Sequence, residues 1–193
     1  MANVDRPNGF QFAKSLIGAP VQGLLRKYVA ADRSADLTGN HGDIYVGDPV
    51  TLVAGEVLVA NSGDEVLGVA VGAGTAVSVT HGKAGMFQPE MLERRYLPAA
   101  VDGFVWVIPA RDTLFEIQSA TDLDLVVGQA ADHNVTAATA HGSQLTGISN
   151  AELVTVVNSD VTVVEIKESP DNDAALANAR YFVKFNDIFD VYV

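Results

Sequence analysis

The chain has 193 residues, no cysteine, and 24 acidic against 12 basic side chains, a formal charge of −12. Without cysteine there is no disulfide framework, thiolate metal site or cysteine nucleophile, and the redox compartment is left open. The acidic excess argues against naked nucleic acid and anionic membranes, whose phosphates require a Lys/Arg patch.

The first segment, Met1 to Pro20, is punctuated by Pro7, Gly9, Gly18 and Pro20 and holds neither a period of two nor one of 3.6. It predicts an extended arm whose isolated Phe10, Phe12, Leu16 and Ile17 need another surface to cover them. No apolar stretch of leader type stands at the start, and the longest apolar runs are too short for a membrane span, so neither is expected. Leu24–Val29 is the first strand expected. Residues 1–34 carry Arg6, Lys14, Arg26, Lys27 and Arg33 against Asp5 and Asp32, a net of +3 that leaves −15 for the remainder. The imbalance suggests a mildly basic arm with a first strand, 1–34, and an acidic β-rich body, 35–193, chance clustering of five charges being the other reading.

From Ile44 to Gly72 short Val-rich runs alternate with Gly47-Asp48, Ala54-Gly55 and Ser62-Gly63-Asp64. These read as strands joined by tight turns, the pattern of a small β-barrel or sandwich rather than of a βαβ unit. One short helix is expected near Gln88–Arg95, with Pro89 at its first position. Strands resume at Gly103–Ile108 and Thr113–Gln118, where Phe115 and Ile117 share a face opposite Glu116 and Gln118. Gly128–Asn150 is Ala/Thr/Gly-rich and weakly patterned, and reads as a long excursion or flexible hairpin. Glu152–Val157 and Val161–Lys167 suggest a hairpin about Asn158–Asp160, Asp171–Ala179 a second short helix capped by its Asp/Asn cluster, and Tyr181–Asn186 and Ile188–Val193 two closing strands. The fold class is all-β.

Little in this pattern supports catalysis. Three of the four histidines, His41, His81 and His141, directly precede glycine, and with His133 they form no paired-ligand spacing; all read as solvated turn residues rather than metal ligands. Asp122-x-Asp124 and Asp171–Asp173 lack the glycine and terminal glutamate of an EF-hand loop. Gly72-Ala-Gly74 lacks the third glycine of a dinucleotide fingerprint, and there is no Walker A sequence and no G-x-S-x-G elbow. No enzyme activity, cofactor or metal is expected. Phe104, Trp106, Tyr181, Phe182 and Phe185 lie on strands with large apolar groups on both faces; Trp106, Phe104 and Phe182 are the residues expected to take part in self-association.

Several segments, taken in order, resemble a family of tailed-bacteriophage virion proteins, the capsid decoration or structural cement proteins. They are Ala2–Phe10, Gly18-Ala-Pro20 followed by Arg26–Val29, Tyr45–Val50, Leu67-Gly-Val69 and Arg95–Pro98. Phe115–Gln118, Gly128-Gln-Ala130, Thr146-Gly147 and Pro170-Asp-Asn172 complete the series. No one piece is specific; the order carries the resemblance, and Gly68–Met86 aligns least well. The resemblance implies a non-enzymatic protein on the outer surface of an icosahedral head, clamping neighbouring major capsid protein subunits in company with copies of itself.

On that reading the arm carries attachment through Arg6, Phe10, Phe12, Lys14, Leu16 and Ile17, with Arg26 and Lys27 adding a sign opposite to the body. The other placement of the arm is around its own barrel, filling a gap there. Two further classes compete: a virion-surface module recognising a host receptor or glycan through Gly128–Asn150 and Trp106, and an enzyme on a cupin-like barrel, whose clustered His/Glu ligands the sequence lacks.

Overall fold

A computed structural model describes residues 3–30, 42–75, 96–99, 101–135 and 141–189. Among them the chain is all-β, with a single four-residue helix, α1 (Val21–Leu24), and no helix long and apolar enough to cross a membrane.

Two antiparallel sheets carry the fold. Sheet I has the order β1 (Gln11–Ser15), β9 (Thr113–Gln118), β15 (Arg180–Phe185), β14 (Val161–Ile166), β10 (Ala130–His133), β13 (Leu153–Val154). Sheet II has the order β2 (Arg26–Ala30), β8 (Gly103–Pro109), β6 (Gly68–Thr75), β4 (Pro49–Val53), β5 (Glu56–Val59). Two small ribbons, β3 (Ile44–Tyr45) with β7 (Tyr96–Leu97) and β11 (Gly142–Ser143) with β12 (Ile148–Ser149), complete the set.

The strands follow from β-branched and aromatic residues at alternate positions. In β15, Tyr181, Val183 and Phe185 are buried while Phe182 is half-buried and Lys184 exposed, the signature of a strand with one face on the core. Val50, Val57, Val59, Val69, Val105 and Val107 of sheet II join Phe115, Ile117, Val161, Val163 and Val183 of sheet I in one apolar core. Sheet II curls until its edge strands β2 and β5 approach each other, though they share no ladder. The result is a sandwich with one strongly coiled layer.

Four expectations need correcting. First, Asp171–Ala179 forms turns, not a helix. Asn172 accepts the Arg180 N–H and donates to the Lys167 and Arg180 carbonyls. Asn3 accepts the Asp173 N–H and donates to the Asp173 and Ala177 carbonyls. Side-chain amides thus occupy the backbone groups a helix would use, and Ala174–Ala177 is too short to compete.

Second, β13 and β14 are not a hairpin; β10 lies between them and pairs with both. Third, Gly128–Asn150 is no loose excursion in its described part. It supplies β10, with Ala131, Asp132 and His133 buried, and the β11–β12 ribbon. Fourth, the described part of the arm, residues 3–30, does not stand apart from the body, because β1 enters sheet I and β2 enters sheet II. The helix expected at Gln88–Arg95 lies outside the described residues, as do His41, His81 and Asp190–Val193.

Candidate docking surface

The N-terminal limb divides into a root buried in the body and an exposed tip. At the root, Phe10 is 2% exposed and packs edge-on to Phe115 and His133 and tilted against Phe185. It is brought there by a close backbone crossing. Phe10 N–H donates to the Gly47 carbonyl at 2.9 Å, and a Cβ on Gly9, whose φ is +65°, would stand 2.6 Å from that oxygen. Only glycine fits both the left-handed backbone and the approach. Asn3 ties the limb's start to the 173–177 turns, and the Arg6 N–H donates to Gln118 Oε1 at 2.9 Å. Phe10 is therefore unavailable to a coat protein, and Phe12, half-buried opposite Phe115, packs against the same core.

The tip is different. After β1 the chain turns at Leu16–Gly18, held by Leu16 N–H to the Asp112 carbonyl and Ala19 N–H to Ser15 Oγ. Leu16 and Ile17 are 55% and 69% exposed, and no core position claims them. Lys14 is exposed, 3.7 Å from Glu165. Arg26 is exposed and donates to its local Gly23 and Leu25 carbonyls. The residues expected at one site therefore split: Lys14, Leu16, Ile17 and Arg26 are exposed, and Phe10 is buried.

Lys27 belongs to a second group. Its Nζ lies 4.2 Å from the centroid of the Phe104 ring, burial lowers its pKa, and Phe104 meets Trp106 edge-on at 6.4 Å. Phe104 is 4% exposed and lies over Gly74, where a Cβ would fall 2.3 Å from the ring. Trp106 is half-buried. Phe182 sits in sheet I opposite Glu116 and Glu165, and is half-buried. The three residues expected at a self-contact thus lie on two different sheets, and Phe104 offers little free surface.

Sequence reasoning missed two buried carboxylate–histidine pairs. Asp48 Oδ2 accepts the Tyr45 N–H at 2.7 Å and faces His141 Nε2 at 3.1 Å, closing the β11–β12 ribbon over the 45–48 turn. Burial, then the bond to Asp43, raises the Tyr45 pKa. Asp132 accepts the N–H groups of Val157, Asn158 and Asp160. Burial pushes its carboxyl up, but those donors outweigh it and hold the pKa below the usual range.

Asp160 Oδ1 accepts Gly63 N–H, and its Oδ2 accepts His133 N–H. The His133 ring has no hydrogen-bond partner at either nitrogen, with Asp160 Oδ2 3.6 Å away. Both described histidines are therefore buried, at 2% and 6% exposure, not solvated in turns. His133 sits in Ala131–Val135, whose small and polar residues hide its burial, and His141 carries no local sequence signal. These groups fasten loops to sheets. Among the described residues no cluster of three His, Asp or Glu is placed to hold a metal ion.

The chain matches no protein-family model, no curated protein and no solved structure.

Proposed function

We propose that this protein is a non-enzymatic structural cement protein of a tailed-phage head, bound to the outer surface of the major capsid protein lattice. The observation that carries the reading to a surface is the limb tip, where Leu16 and Ile17 are 55% and 69% exposed beside Lys14. An exposed apolar pair next to positive charge, on a chain of net −12, suits an acidic coat surface with an apolar recess. The ordered resemblance running from Ala2 to Asn172 supports the coat as partner.

The staple takes a modified form. The root, fixed by Phe10 and Asn3, is the anchor in the cement protein itself, and the tip reaches the coat. Association then orders few residues, which limits its entropic penalty.

The test is co-sedimentation with purified heads lacking this protein. Wild type binds in many copies per head; a variant with Leu16→Asp and Ile17→Asp keeps its melting temperature and stays in the supernatant. Undiminished binding by that variant removes the tip from the interface, and failure of wild type to bind removes the function.

A second reading, a host-surface module, draws on Leu145. It is 95% exposed at the turn of the β11–β12 ribbon, whose Gln144 is tied to Asp43 at 2.7 Å. Adsorption to host cells by the protein alone, lost in Leu145→Ser, would favour it over the coat.

A further inference from the structure

A cleft of about 310 Å³ opens where the limb root crosses sheet I. The limb forms one wall with Arg6, Asn8 and Gln11, β9 supplies the floor through Glu116, and Lys167, Asp171 and Arg180 form the far side. Two of its cations are already engaged. Lys167 Nζ donates to Glu116 Oε1 at 2.6 Å, and Arg180 Nη2 to Asp171 Oδ2 at 2.8 Å while its Nη1 stands 4.0 Å from Glu116. The Ser169 hydroxyl, more than Arg180, holds Asp171 ionised by lowering its pKa. Arg6 is not so engaged. Its backbone is fixed on Gln118, yet among the described residues its guanidinium meets no carboxylate. The side-chain amides of Asn8 and Gln11 likewise make no hydrogen bond within the described chain. Three cations against two anions leave the cleft at +1, inside a molecule of −12.

We propose that this cleft is a carboxylate-binding site that takes one acidic side chain of a partner protein. The volume is at the lower edge of ligand pockets and suits a single side chain. Planar guanidinium groups on a fixed backbone suit the two oxygens of a carboxylate. A charge of +1 is neutralised by one carboxylate, whereas a dianion would leave an excess negative charge beside Glu116 and Asp171. Because the limb builds one wall, the cleft exists only when Phe10 and Asn3 are seated. That the partner is the coat rests on the proposed function; the chemistry of the cleft does not.

The test uses amide NMR of the full chain titrated with N-acetylglutamate, N-acetylglutamine and inorganic phosphate. N-acetylglutamate shifts amides confined to residues 4–11, 116–118 and 167–180, and binds at least about tenfold more tightly than the other two, about 1.4 kcal/mol. Arg6→Gln abolishes the shifts at unchanged melting temperature; Lys184→Gln, an exposed lysine elsewhere on sheet I, leaves them intact. Equal response to N-acetylglutamine, tighter binding of phosphate, shifts scattered over the surface, or persistence in Arg6→Gln each overturns the site. Arg6→Glu should also weaken co-sedimentation with heads. Normal sedimentation by that variant overturns the coat as the source of the carboxylate. Failure of wild type to bind heads would refute the proposed function while the NMR result still decides the cleft.

Discussion

The root and the tip of the N-terminal limb are a few residues apart in sequence and opposite in environment. Phe10 is 2% exposed and Ile17 is 69% exposed. Both are apolar side chains in a segment without periodicity, so hydrophobicity alone does not separate them. Backbone does. At the root Gly9 and Gly47 let two backbone segments touch, and the residue after Gly9 is delivered into the core. At the tip the turn is closed by its own bonds and by Asp112, and Leu16 and Ile17 stay exposed. An apolar residue beside a close-approach glycine is structural; one in a self-closed turn is available to a partner.

Truncating the root should break the molecule. Phe10→Ala leaves a cavity among Phe115, His133 and Phe185 and is expected to cost about 3–5 kcal/mol in chemical denaturation. Deleting residues 2–22 also removes strand β1 from sheet I, so the deletion is expected to unfold the body rather than yield a folded protein lacking its staple. A deletion variant with wild-type melting temperature would show that the root is dispensable and merge it with the tip. Asn3→Ala is expected to cost less, about 1–3 kcal/mol, because it strands the Asp173 N–H and the carbonyls of the 173–177 turns.

The parts of this fold legible in sequence were those in which side-chain identity dictates local structure. Thr113–Gln118 was readable because Phe115 and Ile117 alternate with Glu116 and Gln118, and Gly103–Ile108 because it is a dense apolar run. The order of strands was not readable. β10 sits between β13 and β14, with Asp132 tying down the 157–160 loop, and no local pattern announces a tertiary bond of that kind. Ala131-Asp132-His133 looks polar and weak, yet it is buried; its burial depends on partners far along the chain. For the proposed docking site, charge and apolar content single out residues 6–27 in the sequence, but which of them are buried and which exposed depends on a crossing at Gly47. The cleft needs Lys167 and Arg180 beside Arg6, a proximity created only by the sheet order.

Acid should act on the root through His133. Burial lowers its pKa from 6.5, opposed by Asp160, Asp132, Asp48 and Asp64 in that order. The unfolded chain therefore takes up the proton more readily than the folded one. Stability is intact above pH 6.5 and falls as the pH drops below it towards the folded-state pKa. Asp132, with its pKa depressed from 3.8, adds a second loss at lower pH, since its contribution is present above 3.8 and disappears as the pH falls through the folded value. Urea denaturation at pH 7.5 and pH 5 reads the first loss. His133→Leu, which removes two unpartnered ring nitrogens, should flatten the pH dependence over that interval. An unchanged slope would mean that the proton is taken up elsewhere and that the seat of Phe10 is insensitive to it.

The smallest effect on stability should come from the tip, and there the comparison is sharpest. Leu16→Ser combined with Ile17→Ser removes apolar surface that is already in water, so the melting midpoint should move by no more than the equivalent of about 0.5 kcal/mol. The Leu16 N–H to Asp112 bond and the Ser15–Ala19 turn use no side chain of either residue and survive. If the tip is the docking element, this variant loses head binding while folding as before, the reverse of Phe10→Ala, which loses both together. Lys14→Gln should weaken binding less, and mainly at low ionic strength, because an exposed charge steers encounter more than it holds the complex. A large stability loss in the Leu16/Ile17 variant would mean that the tip packs against the body. Root and tip would then be one structural unit, and the proposed coat contact would have to be sought on another face.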